Sequence, residues 1–145
     1  MKIAALALIP LAALSLTGCT AIMDLAHSES ESHFADGGAL FDSGVISANE
    51  ATWLPTDATD VTVRESTKDV EAATAVIGFA SASELVGCTE TERLSLPAYN
   101  VEWGPDDEKL AKTTTVQSCG DWVFVPTADG WFGWTPSAQA EKSAQ

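Results

Sequence analysis

The chain has 145 residues, the size of one domain, and a formal net charge of −14 from 7 Lys and Arg against 21 Asp and Glu. The only charge before Cys19 is Lys2, so the chain from Cys19 onward stands at −15. Seven scattered basic residues give no cluster to neutralise a phosphate backbone, which argues against nucleic acid as a partner. An acidic surface of this kind favours solubility and weak association with cations and basic partners.

Met1-Lys2 is followed by an uncharged, Ala- and Leu-rich run from Ile3 to Leu16. A single positive charge and a short apolar stretch are the layout of a secretory signal, and the run is short for a bilayer-spanning helix. It ends in Leu16-Thr17-Gly18-Cys19. This stretch resembles the lipobox of bacterial lipoproteins, with an apolar first position and a small residue just before the cysteine. The resemblance implies cleavage between Gly18 and Cys19 and a diacylglyceryl group on the Cys19 thiol. Competing readings are an ordinary signal peptide beside a structural cysteine, or an uncleaved anchor. Run length, charge and small-residue placement all agree with the cysteine position and favour the lipobox. Two or more acyl chains give stable membrane attachment, whereas one is marginal.

Three cysteines in an exported chain leave one unpaired. With Cys19 assigned to lipid, Cys88 and Cys119 are expected to bond to each other in an oxidising compartment. The alternative, two ligands of a metal, lacks a C-x-x-C pair and nearby His, so no metal and no cofactor are expected.

Residues 1–18 thus read as a signal peptide, and 19–50 as a lipidated N-terminus and acidic, Ser-rich tether. Residues 51–136 read as a small globular domain and 137–145 as a flexible tail. His27 and His33 flank a Ser-Glu repeat within the tether, without geometry for a metal. Leu40, Phe41, Val45 and Ile46 form a segment that can dock on the domain, its periodicity undecided between helix and strand.

The domain is expected to open with a turn over residues 53–60, where Pro55 disfavours helix before it and Asp57 and Asp60 accept backbone bonds. Val61 to Glu65 places Val61 and Val63 on one face of a half-buried strand. Thr74 to Ala80 is a second strand, apolar enough to lose clean alternation. Leu94 to Trp103 is extended and interrupted by Pro97, the mark of a sheet edge. Gly104 to Glu108 reads as a turn and Lys112 to Cys119 as a strand. Asp121 to Val125 alternates, Asp129-Gly130 signals a hairpin turn, and Trp131 to Trp134 returns as the partner strand.

Five or six short strands with turn signals predict a mainly β domain, a small antiparallel sheet or sandwich with one disulfide. A helix on one face, between the first two strands or near Ser83 to Leu85, would make it α+β.

Catalytic signals are weak. Both histidines fall in the tether and both domain cysteines are expected in a disulfide, so no base faces a nucleophile. Asp57, Asp60, Glu102, Asp106, Asp107 and Glu108 are carboxylates of turns, read as solvated surface rather than a hydrolytic pair. Calcium at Asp106-Asp107-Glu108 lacks the alternating-ligand loop. Trp122, Trp131 and Trp134 lie within one predicted hairpin and are the candidate ligand-binding residues. They are an aromatic surface for a glycan or a protein if exposed, and core if not.

Trp53-Leu54-Pro55-Thr56-Asp57-Ala58-Thr59-Asp60, Gly87-Cys88 and Cys119-Gly120-Asp121-Trp122 together resemble a group of small exported actinobacterial lipoproteins, over roughly residues 53 to 135. The resemblance implies a two-cysteine domain and carries no activity with it. The expected function is that of a lipid-anchored binding or accessory domain on the extracytoplasmic face of the cell membrane, not an enzyme. Its partners would be the membrane through the anchor and an envelope protein or glycan, and the alternative is a glycan- or small-ligand-binding lipoprotein using the Trp hairpin.

Overall fold

The computed structural model describes residues 29–67 and 74–135. Within them seven strands form one antiparallel sheet: β1 (Glu29–Asp36), β2 (Thr59–Ser66), β3 (Ala75–Ala80), β4 (Thr89–Glu92), β5 (Thr115–Cys119), β6 (Trp122–Pro126) and β7 (Gly130–Thr135). Two short helices accompany it, α1 (Gly37–Ser43) and α2 (Asp107–Lys112). The strand order is β1-β2-β3-β7-β6-β5-β4, so two meanders meet where β3 pairs with β7. The mainly β expectation holds. The helices stand before β2 and before β5, and none forms near Ser83 to Leu85.

Both faces of the sheet carry a core, because strand side chains alternate and each face is covered by a connection. On the first face Val61, Val63, Ile77, Phe79, Trp122 and Phe124 are buried beneath Leu40 of α1 and beneath Ile46, Trp53 and Leu54 of the segment that follows it. On the second face Val76, Val123, Val125, Phe132 and Trp134 are buried beneath Val101 and Leu110, with Tyr99 and Trp103 alongside. The central strand β3 contributes to both, with Ala75, Ile77 and Phe79 on one face and Val76 on the other. That is why its sequence is a continuous apolar run.

The expected tether over residues 19–50 is corrected from Glu29 onward. Residues 29–36 are the edge strand β1, paired antiparallel to β2 from Glu29↔Ser66 to Asp36↔Thr59. Cross-strand charge sets this register: Arg64 Nε lies 2.9 Å from Glu29 Oε2, and its Nη1 lies 3.5 Å from Glu31 Oε2. Phe34 packs on the first core. The Ser and Glu content that resembles a linker is that of a charged sheet edge, which resists pairing with another chain.

Helix α1 follows directly. Asp36 caps it by accepting from Ala39 N at 2.8 Å, and Gly44, at φ 76°, closes it in the left-handed conformation. Its purpose in the fold is Leu40, which is fully buried.

The segment between β4 and β5 overturns a second expectation. Leu94 to Trp103 is extended but joins no strand; it crosses the second face. Arg93 holds its start, donating from Nε to Thr113 O at 2.7 Å and from Nη1 to Ser95 O at 3.1 Å. Trp134 Nε1 donates to Ser95 Oγ at 2.9 Å, and Leu94 and Leu96 point to solvent. Trp103 packs against Gly78, where a Cβ would sit 3.0 Å from its ring. Gly104 to Glu108 is only in part a turn, because Asp106 accepts from Lys109 N at 2.6 Å and starts α2. Lys112 is therefore helical, and β5 begins at Thr115.

The aromatic hairpin forms as expected, with Val123↔Trp134, Val125↔Phe132 and Pro126↔Trp131 in register. Across it Phe124 faces Gly133. A Cβ at 133 would overlap the Phe124 ring, so the absence of a side chain there is what lets Phe124 lie over the strand. Gly133→Ala is expected to lose about 1–3 kcal/mol through overpacking, read as a lower urea midpoint at unchanged slope.

Candidate functional site

On the first face, at the end of the sheet where β5 turns into β6, the covering segments leave a cavity of about 470 Å³. Three pieces of chain build it. Ile46 and Trp53 come from the connection after α1, Val86 and Gly87 from the loop before β4, and Gly120, Asp121 and Trp122 from the β5–β6 turn. Glu65, Ala75 and Thr135, the adjacent ends of β2, β3 and β7, complete the wall. The loop before β4 is fastened by Val86 N donating to Trp53 O at 3.0 Å.

Cys88 and Cys119 are joined beside this cavity, with Cα atoms 4.6 Å apart. Register explains the proximity. Thr89 pairs with Ser118, so the next position along the same ladder brings Cys88 opposite Cys119.

The floor is aromatic. Trp53 lies 5.6 Å from Trp122 and 4.5 Å from Phe124, ring centre to ring centre, and is 2% exposed. Its Nε1 is buried with no hydrogen-bond partner among the described residues. The rim is acidic. Glu65 follows Val61 and Val63 on the inward face of β2, and burial raises its carboxyl above the ordinary value of 4.5. Glu50 is instead lowered, because its carboxylate accepts from the Ser47 hydroxyl at 2.7 Å and the Ser47 amide at 3.1 Å. Asp121 stands on the turn, its backbone oxygen accepting from Thr135 Oγ1 at 2.9 Å.

The three hairpin tryptophans do not form a common surface. Trp122 is buried on the first face and Trp134 on the second, while Trp131 is half-buried on the first with Nε1 donating to Ser83 O at 3.1 Å. Pairing alternation separates them, since Trp131 and Trp134 are an odd number of residues apart on one strand.

His33 is an exposed residue of β1, its Nδ1 3.0 Å from Thr62 Oγ1 and its Nε2 3.3 Å from Glu31. His27 and Cys19 lie outside the described residues. The turn carboxylates have local roles. Asp57 accepts from the Ser81 hydroxyl at 2.7 Å and the Ala82 amide at 3.1 Å, and the Ser81 bond is the main cause of its lowered pKa. Asp106 caps α2, Asp107 accepts from Asn100, and Glu108 pairs with Lys112. Among the described residues no three His, Cys, Asp or Glu side chains gather as a metal site.

Comparison with protein-family models, curated proteins and solved structures gave no match.

Sequence reasoning did not gather Ile46, Glu50, Trp53, Glu65 and Asp121 into one place. A signal for Glu65 was present, since it continues the Val61, Val63 alternation on the apolar face with an acid. The others come together only because the covering segment folds back on β2, β3 and β6.

Proposed function

We propose that the protein is a lipid-anchored lipoprotein of the extracytoplasmic face, and that its disulfide-bonded domain works by binding a partner at the cell envelope rather than by catalysis. The observation that carries this reading is the division of the cysteines. Cys88 and Cys119 are bonded to each other, which leaves Cys19, behind Lys2, the apolar run and Leu16-Thr17-Gly18, as the thiol for a lipid. A disulfide in so small a domain also fits an oxidising compartment.

Folding of β1 into the sheet shortens the connection to the membrane. Nine residues, 20–28, lie between Cys19 and Glu29, a reach of at most about 32 Å when fully extended. The domain then works close to the bilayer surface, not at the end of a long tether. A non-catalytic role is supported by the placement of the chemistry-bearing residues: the two domain cysteines are bonded, and His33 is on an exposed sheet edge with Thr62 and Glu31 as neighbours. The alternative glycan surface of Trp122, Trp131 and Trp134 gains nothing from their positions on opposite faces.

In a bacterial host that processes lipoproteins, the wild-type chain is expected in the membrane fraction, labelled by a radioactive fatty acid. Cys19→Ser is expected to appear soluble and unlabelled. Continued membrane retention of Cys19→Ser refutes the anchor.

A further inference from the structure

The sheet ends at β4 in an open edge, and we propose that this edge takes up an extended segment of a partner protein, with alternating basic and apolar side chains, as a further antiparallel strand. The proposal names the partner of the binding module argued above and rests on that reading, not on the lipid.

Backbone geometry is the first observation. β4 stands last in the strand order and, among the described residues, pairs with β5 alone. Arg93 N donates to Thr114 O at 2.8 Å, continuing the ladder beyond Glu92↔Thr115. Bonded and non-bonded positions alternate along an antiparallel pair. Thr89, Thr91 and Arg93 therefore turn their backbone groups toward β5, and Glu90 and Glu92 turn theirs to the open edge.

The side chains are the second. From Glu90 to Glu102 exposure alternates without a break along an extended chain. Thr91, Arg93 and Ser95 lie on the half-buried side, and Glu90, Glu92, Leu94 and Leu96 form one exposed row. Leu94 is 49% and Leu96 58% exposed; among the described residues Val86 is the other large apolar side chain so placed. Arg93, the one base between Thr89 and Trp103, is held on the other side by Thr113 O and Ser95 O. No cation among the described residues pairs with Glu90 or Glu92, whereas the acids of the opposite edge, Glu29 and Glu31, are met by Arg64.

The row selects its occupant. Side chains directly opposite each other on antiparallel strands attract when their charges are opposite and repel when they are alike. A second copy of β4 would set Glu90 and Glu92 against their own kind or against leucine, and the net charge of −14 repels a copy further. A strand with two Lys or Arg opposite the acids and two apolar residues opposite the leucines satisfies the row and the backbone together. Strand addition of this kind draws affinity from main-chain bonds and specificity from alternate side chains. Cys88, bonded to Cys119, immediately precedes β4 and holds the edge in place before a partner arrives.

The probe is a dye-labelled peptide, Val-Thr-Val-Thr-Lys-Thr-Lys, read by fluorescence anisotropy against the full chain in non-ionic micelles at low salt. It is expected to saturate, and the same peptide with Glu for both Lys to bind about tenfold more weakly or less. Methylating the two Lys amides, which would face the open groups of Glu90 and Glu92, is expected to weaken binding about tenfold. Methylating the two Thr amides that flank the first Lys, which would point away, is expected to leave it unchanged. Glu90→Lys/Glu92→Lys is expected to exchange the preference, losing the Lys peptide and gaining the Glu peptide, a gain that misfolding cannot produce. Leu94→Ser/Leu96→Ser is expected to weaken the Lys peptide by about three- to tenfold. No saturation, equal affinity for the Glu peptide, indifference to which amides are methylated, a charge-reversed chain that keeps the Lys preference, or undiminished binding by the leucine variant overturns the proposal. None of these readings depends on Cys19, so this titration and the Cys19→Ser fractionation fail separately.

Discussion

Phe124→Ala is expected to lower stability by about 3–5 kcal/mol, toward the upper end of that range. Phe124 has no exposed surface, and its ring centre lies 4.5 Å from Trp53, 6.1 Å from Trp122 and 6.2 Å from Phe79. The cost of removing a large side chain depends on how far its surroundings collapse. Here they are held. The backbone of Phe124 is fixed between Gln117 of β5 and Gly133 of β7, and Gly133 has no side chain to fill the space. Urea denaturation measures the loss, and Trp53, which would border the new void, should report a local change in indole emission. A loss under about 2 kcal/mol would mean that the first face repacks. The Gly133→Ala penalty should shrink in the Phe124→Ala background, because the two positions compete for one volume and their effects cannot add.

Removing the disulfide is the second large effect. Cys88→Ser/Cys119→Ser is expected to cost about 3–4 kcal/mol on the chain-entropy account, for a bond that spans 31 positions of sequence. That is a large share of the ~5–15 kcal/mol that separates most folded domains from their unfolded chains. It corresponds to a fall of more than about 12 °C in the thermal midpoint. The loop it closes holds β4, the extended segment that carries Val101 onto the second face, and α2, which carries Leu110 there. Reduction should therefore loosen the β4–β5 edge first, with amide protection lost there before the central β3–β7 pair. An unchanged midpoint on reduction would show that the strand pairing from Thr89↔Ser118 to Glu92↔Thr115 holds this edge without the bond.

Much of the sheet was legible because its signals are local. The Val61, Val63 alternation, the apolar run of β3 and the Asp129-Gly130 turn each depend on neighbours in sequence, and β2, β3, β6 and β7 follow from them. The edge strand β1 was not legible, since Glu29, Glu31 and the serines between them read as linker until Arg64 is set opposite. Leu94 to Trp103 misled in the other direction. Its extended character is real, but its inward residues cover a sheet face instead of pairing with an edge. Of the candidate site, the tryptophans were visible as a cluster in sequence, while their separation onto two faces followed from alternation and their burial from packing. The cavity itself was invisible, because Ile46, Glu65 and Asp121 are joined by no local pattern.

The sequence by itself determined the class of the domain and the pairing expected of its cysteines. It also determined the expectation of an address in Leu16-Thr17-Gly18-Cys19, because strand alternation, turn chemistry and a processing motif are written in consecutive residues. Only the tertiary structure decided that residues 29–36 join the sheet as β1, that two connections cover the two faces, and that an apolar floor meets Glu50, Glu65 and Asp121 in one cavity. Those facts rest on pairings far apart in the chain, made favourable by burying apolar area that no single segment can bury alone.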